Sequence, residues 1–142
     1  MKVAVVVLAS AVLGLSAFTA PASAQDMGFF VTSVGVGDGG NLGGLEGADA
    51  HCQTLAEAAG STGKTWRAYL STQAEGKRGE SARLRIGQGP WYNADGELIA
   101  VDLDQLHIFP NIYLRTALDE NGNRIKGRYD DVNEHDILTG TQ

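Results

Sequence analysis

An α+β arrangement, with one main amphipathic helix and short antiparallel strands, is what the sequence predicts, on three observations. Leu45, Ala48, Cys52, Leu55, Ala56 and Ala59 recur at three- and four-residue steps, the spacing of one helical face. Residues 65–71 alternate instead, with Trp66, Ala68 and Leu70 on one side and Arg67, Tyr69 and Ser71 on the other, as in a half-buried strand. Asn93-Ala94-Asp95-Gly96 then writes a tight turn between Pro90-Trp91-Tyr92 and the apolar run Leu98-Ile99-Ala100-Val101.

Taken in order, residues 29–34 are aromatic and β-branched, a composition that suits a pleated and partly buried surface, and predict a first strand. A glycine-rich turn over residues 35–44 follows, and then the helix, with Gly60 placed to end it. Its expected inward face is Leu45, Ala48, Cys52, Leu55 and Ala59, and Glu46, Gln53 and Glu57 are expected to meet water. Residues 72–80 form a polar loop. A second turn is written in Asp119-Glu120-Asn121-Gly122-Asn123, and the acidic tail, residues 129–142, has no helix or strand of its own to tie it down. No internal repeat, linker or second domain is visible.

The first 24 residues have the three parts of an export signal: Lys2, an apolar run from Val3 to about Leu15, and the small residues Ala22-Ser23-Ala24. Gly14, Ser16 and Pro21 cut that run short of the roughly 20 apolar residues a membrane span needs. Cleavage before Gln25 is expected, leaving a single domain over residues 25–142 that is secreted or periplasmic, with no membrane span. Loss of Lys2 takes the formal charge from −6 to −7. Such an acidic chain is a poor partner for nucleic acid, whose phosphates are bound by clustered Lys and Arg.

Local motifs give little chemistry. Gly35-Val36-Gly37-Asp38-Gly39-Gly40 fits the dinucleotide-binding spacing, but the helix begins too late for its N-terminus to meet a pyrophosphate. His51 and Cys52 are neighbours, and on a helix neighbours point about 100° apart, so they form no thiol–imidazole pair. His51, His107 and His135 show no zinc spacing, and Asp119-Asn121-Asn123 has Arg124 where a calcium loop requires glycine. No enzymatic activity, metal or cofactor is therefore expected. Asp130, Asp131, Glu134 and Asp136 make an acidic segment that leaves a second reading open, an exported hydrolase using paired carboxylates. Cys52, the only cysteine, is either a small buried apolar residue or one half of a disulfide whose partner lies elsewhere.

Residues 29–33, the run Asn41-Leu42-Gly43-Gly44-Leu45-Glu46-Gly47-Ala48-Asp49-Ala50-His51-Cys52-Gln53, residues 65–71 and residues 135–141 together resemble a family of small secreted bacterial proteins labelled lectins. These share a domain of unknown function with endostatin-like outer-membrane proteins. The resemblance covers nearly all of residues 28–141. It implies an α+β domain like endostatin and the C-type lectins, and a non-catalytic binding role toward glycan or extracellular matrix. Family members continue beyond the Leu138-Thr139-Gly140 segment with further Cys, Trp and His. The resemblance thus implies a partial domain here, a missing partner for Cys52, apolar faces over residues 29–71 with nothing packed on them, and, as a third reading, an inactive truncated relic. Phe109-Pro110-Asn111 has phenylalanine where a C-type calcium site needs an oxygen ligand, so no such site is expected. Candidate ligand contacts are Trp91 and Tyr92, as an exposed aromatic face, and the carboxylates Asp130, Asp131 and Asp136.

Overall fold

The computed structural model describes residues 26–73, 76, 78–134 and 136–140. The expected export signal, its cleavage site and His135 lie outside the described residues. The elements are α1 (Gly44–Ala58), the single turn α2 (Ala82–Arg85), β1 (Trp91–Tyr92), β2 (Leu98–Ala100) and α3 (Leu103–Ile108). β1 and β2 pair antiparallel, with Trp91 opposite Ala100 and Tyr92 opposite Leu98 across an irregularity. The molecule is thus a mixed structure of helices and a small antiparallel sheet. Among the described residues no helix is long and apolar enough to cross a membrane.

α1 follows its periodicity. Ala48 and Ala56 are buried, Leu45, Cys52, Leu55 and Ala59 half-buried, and Glu46 and Glu57 exposed. Gly60 N–H donates to the Glu57 carbonyl and Ser61 N–H to the Ala56 carbonyl, a Schellman closure with Gly60 at φ 92°. At the other end the Leu42 carbonyl lies directly over Gly47, where any Cβ would collide with it. Gly47 is therefore a packing requirement of the helix entry, while Gly43 and Gly44 are required there by their left-handed backbone, both at φ 71°. Gln53 departs from expectation. It is half-buried, its Oε1 accepts from Trp66 N–H at 2.8 Å, and its amide donates to the Lys64 carbonyl at 3.1 Å.

Two expected strands are not strands. Residues 29–34 form no ladder and bend at Ser33-Val34; Phe29 and Phe30 join different clusters, and Gly28 and Phe29 N–H both donate to the Tyr92 carbonyl. Two donors on one acceptor cannot propagate a ladder register. Over residues 65–71 the alternation is real, with Trp66 and Ala68 buried and Arg67 exposed, yet the backbone is paired by side chains. Gln53 takes Trp66 N–H, Asp49 takes Ala68 N–H at 2.8 Å, and Arg85 donates to the Ala68 and Leu70 carbonyls at 3.0 and 3.3 Å.

The core has two parts. Met27, Ala56 and Trp66 form one, with Phe30, Cys52 and Ala94 against it and Phe30 edge-on to Trp66 at 4.8 Å between ring centroids. Trp91, Ile99 and Ala100 form the other, closed by Phe29, Ile86, Leu103 and Leu106. The last two come from α3, which the sequence reading did not identify. Its start is capped by Asp102, whose side chain accepts from Gln105 N–H at 2.8 Å, while Gln105 Oε1 accepts from Val101 N–H at 2.7 Å.

The two turns legible in the sequence share one design. Asn93 Oδ1 accepts from the N–H groups of Asp95 and Glu97, and Asp119 Oδ1 from those of Asn121 and Asn123. In each the fourth residue is a glycine in the left-handed region, Gly96 at φ 79° and Gly122 at φ 82°. The two turns also touch, since a Cβ on Gly122 would sit 3.3 Å from Asp95 Oδ1. This five-residue repeat is too short and too varied in side chains to show as self-similarity in the sequence.

The tail is likewise tied more firmly than its composition suggested. Glu134 N–H donates to the Lys126 carbonyl, Gly140 N–H to the Tyr69 carbonyl, and Ser71 Oγ to the Gly140 carbonyl at 3.0 Å. The apolar surface left open also differs from expectation. It lies mainly between residues 108 and 138, whereas residues 29–71 contribute Ala48, Ala56, Trp66 and Ala68 to the buried set.

Candidate binding groove

A groove of about 320 Å³ opens between residues 26–28, 64–66 and 86–91. Trp66 and Trp91 are among its lining residues, with Asp26, Lys64 and Gln88 as the polar ones that carry long or charged side chains. Each group is placed by something already described. Trp66 sits on the segment fixed by Gln53, Trp91 is the anchor of β1, and Lys64 Nζ donates to the Met27 carbonyl at 2.7 Å. Gln88 stands exposed between Gly87 and Gly89. The Trp66 indole N–H is buried and has no acceptor among the described residues.

Of the residues singled out in the sequence, Trp91 borders this groove, but as a core residue only 9% exposed and not as an open aromatic face. Tyr92 is half-buried and its carbonyl is taken by Gly28 and Phe29. Asp130, Asp131 and Asp136 lie on the tail and do not line it. Asp26, Lys64 and Gln88 were not singled out, and the one available signal was Gly87-Gln88-Gly89-Pro90, a turn sequence that presents its only side-chain amide outward.

Asp130 has a local role. Arg124 grips it through two nitrogens at 2.8 and 2.6 Å, and Gly127 N–H donates to it at 2.7 Å. The Arg124 hydrogen bond first, then that of Gly127, holds its pKa at about 2, and the same pairing raises that of Arg124. A depressed carboxylate contributes its stabilisation above the ordinary Asp range and loses it as pH falls through the folded value. The loop from Arg124 to Asp130 should therefore stay closed at pH 4 and release only near pH 2. A carboxyl titration of Asp130 by NMR, with the Gly127 amide shift moving at the same midpoint, is the expected result. A midpoint near 4 would show the clamp to be absent in solution.

Among the described residues, His51 and His107 are each engaged by local partners. His51 Nε2–H donates to the Val34 carbonyl at 2.8 Å. His107 Nδ1 contacts the Leu103 carbonyl at 2.5 Å and therefore donates, so that in the neutral ring Nε2 accepts from Tyr69 Oη at 2.6 Å. Cys52 is a free, half-buried thiol whose pKa is pushed up by burial and by the nearby Asp49 carboxylate, the opposite of what a nucleophilic thiolate needs. Among the described residues no group of three His, Cys, Asp or Glu side chains is arranged to hold a metal ion. Comparison with protein-family models, with curated proteins and with solved structures returned no match.

Proposed function

We propose that this chain is a secreted, non-catalytic, lectin-like binding module of the endostatin-like and C-type-lectin-like kind, and that it takes a glycan in the groove at residues 26–28, 64–66 and 86–91. The observation that carries this reading is a concavity of about 320 Å³ that Trp66 and Trp91 border together with the polar residues Asp26, Lys64 and Gln88. Sugars are bound by that combination, an apolar wall beside a few polar groups that fix the hydroxyls. The hydrolase reading finds less support, because Asp130 is committed to Arg124 and stays ionised far below neutral pH, so it has no proton to give a leaving group.

The test is to titrate the protein with a panel of oligosaccharides while following tryptophan fluorescence, since both tryptophans border the groove. A saturable change is expected, and Gln88→Ala or Lys64→Ala should weaken it by about tenfold, the loss of one or two polar contacts. Absence of saturable binding across the panel by cooperatively folding protein would overturn the reading. Release of reducing ends, lost in Asp131→Asn or Asp136→Asn, would replace it with the hydrolase.

A further inference from the structure

Residues 109–114 form a ridge whose backbone is unusually well fixed for a surface loop. Asn111 N–H donates to the Ile99 carbonyl at 2.9 Å and its side-chain amide to the Leu98 carbonyl at 2.8 Å. Thr116 Oγ1 closes the far side, donating to the Asn111 carbonyl at 2.7 Å and accepting from Tyr113 N–H at 2.8 Å. On this rigid support the side chains point outward, with Phe109 80%, Tyr113 62% and Leu114 61% exposed.

The apolar surface does not stop at Leu114. Its side chain lies against Gly127, joining the ridge to the loop held shut by Arg124 and Asp130, which displays Tyr129 at 96% exposure and leads on to Val132 at 53%. Phe109, Ile112, Tyr113, Leu114, Tyr129 and Val132 together expose on the order of 800 Å², taking roughly 200 to 250 Å² for a fully exposed aromatic residue. The largest apolar patch of a typical monomer is only about 300 to 600 Å², whereas a stable dimer interface takes about 800 Å² from each partner. Ordering costs on association are low where the backbone is already fixed.

Charge decides which partner fits. The chain as a whole is acidic, with 17 Asp and Glu against 11 Lys and Arg, so two copies repel over most of their surface. Around this patch the signs are mixed. Lys126 and Arg128 precede Tyr129, Asp131 and Glu134 follow it, and all four are exposed. A two-fold axis through the patch sets the cations of one loop against the anions of the other, the self-complementarity that an isologous contact requires.

We propose that the face formed by residues 109–114 with Tyr129 and Val132 pairs with the same face of a second copy of this chain, making a two-fold dimer. Sedimentation velocity of the purified chain over a range of concentrations should show a closed monomer–dimer equilibrium. Phe109→Asp and Tyr129→Asp each place a charge in the centre of the contact, and each should weaken dimerisation by about tenfold to a hundredfold. Both side chains are exposed in the monomer, so the circular dichroism spectrum and urea midpoint of the dissociated chain should be unchanged, which separates loss of contact from loss of fold. A monomer at every soluble concentration would overturn the proposal, as would a dimer indifferent to both substitutions or open-ended aggregation. Glycan titration of the dissociated Phe109→Asp chain reports on the groove alone, so neither proposal depends on the other.

Discussion

Arg85→Ala is expected to lower the free energy of unfolding by about 3 to 5 kcal/mol, the cost of removing one partner from a buried ion pair. The Arg85 side chain is 4% exposed and every nitrogen of its guanidinium is engaged. Nη2 meets Asp49 at 2.5 Å, Nε meets Glu80 at 3.0 Å, and Nη1 donates to the carbonyls of Ala68 and Leu70. Alanine would leave the Asp49 carboxylate, whose side chain is 18% exposed, with the Ala68 N–H and, as its remaining cation, only the more open Arg67 at 3.2 Å. It would also leave two carbonyls of the 65–71 segment without that donor. Against a total stability of about 5 to 15 kcal/mol this is a large fraction. A urea midpoint within error of the parent chain would show that the network adds nothing. Arg85→Lys should fall between the two, since an ammonium keeps the charge and loses the planar fork.

The second large effect is expected at Asn93, which is fully buried. Its Oδ1 holds the Asp95 and Glu97 N–H groups, and its Nδ2 donates to the Thr116 carbonyl at 3.1 Å. Asn93→Ala leaves those groups short of partners and should cost about 2 to 3 kcal/mol. Asn93→Asp keeps the acceptor but turns a carboxylate oxygen toward the Thr116 carbonyl, and should be no better. The twin position behaves differently. Asp119 uses one oxygen for its two backbone donors and the other only for the Asn123 amide, at 3.1 Å. Asp119→Asn retains the first oxygen, so it should cost less than about 1 kcal/mol. Equal losses for Asn93→Asp and Asp119→Asn in urea would contradict this difference between the two turns.

What was legible in the sequence is what depends on local order. α1 announced itself because 15 residues repeat one face, and both turns did because Asx and Gly at fixed offsets have few other uses. α3 did not, since six residues are too few for a period, although Asp102 and Gln105 formed a cap signature that was there to be read. The 65–71 segment showed its alternation but not its partners. These are side chains of Gln53, Asp49 and Arg85, brought from 13, 19 and up to 17 positions away by the fold, and no spacing rule encodes them. The groove was hidden for the same reason, because Asp26, Lys64 and Gln88 come from three separate stretches that only the packing of the two tryptophans brings around one opening.

The side-chain pairing of residues 65–71 also bears on solubility. An extended segment with an unpaired row of amides and carbonyls is a template onto which a foreign strand can add. Here Trp66 N–H, the N–H and carbonyl of Ala68, and the Leu70 carbonyl, the groups along one edge, are already held by Gln53, Asp49 and Arg85. On the other edge the Tyr69 carbonyl is taken by Gly140. The first edge is closed by a carboxylate, a carboxamide and a guanidinium rather than by a neighbouring strand, so it offers no register in which another chain can continue it. A foreign strand approaching Trp66, Ala68 and Leu70 would therefore have to displace those side chains before it could pair with this backbone.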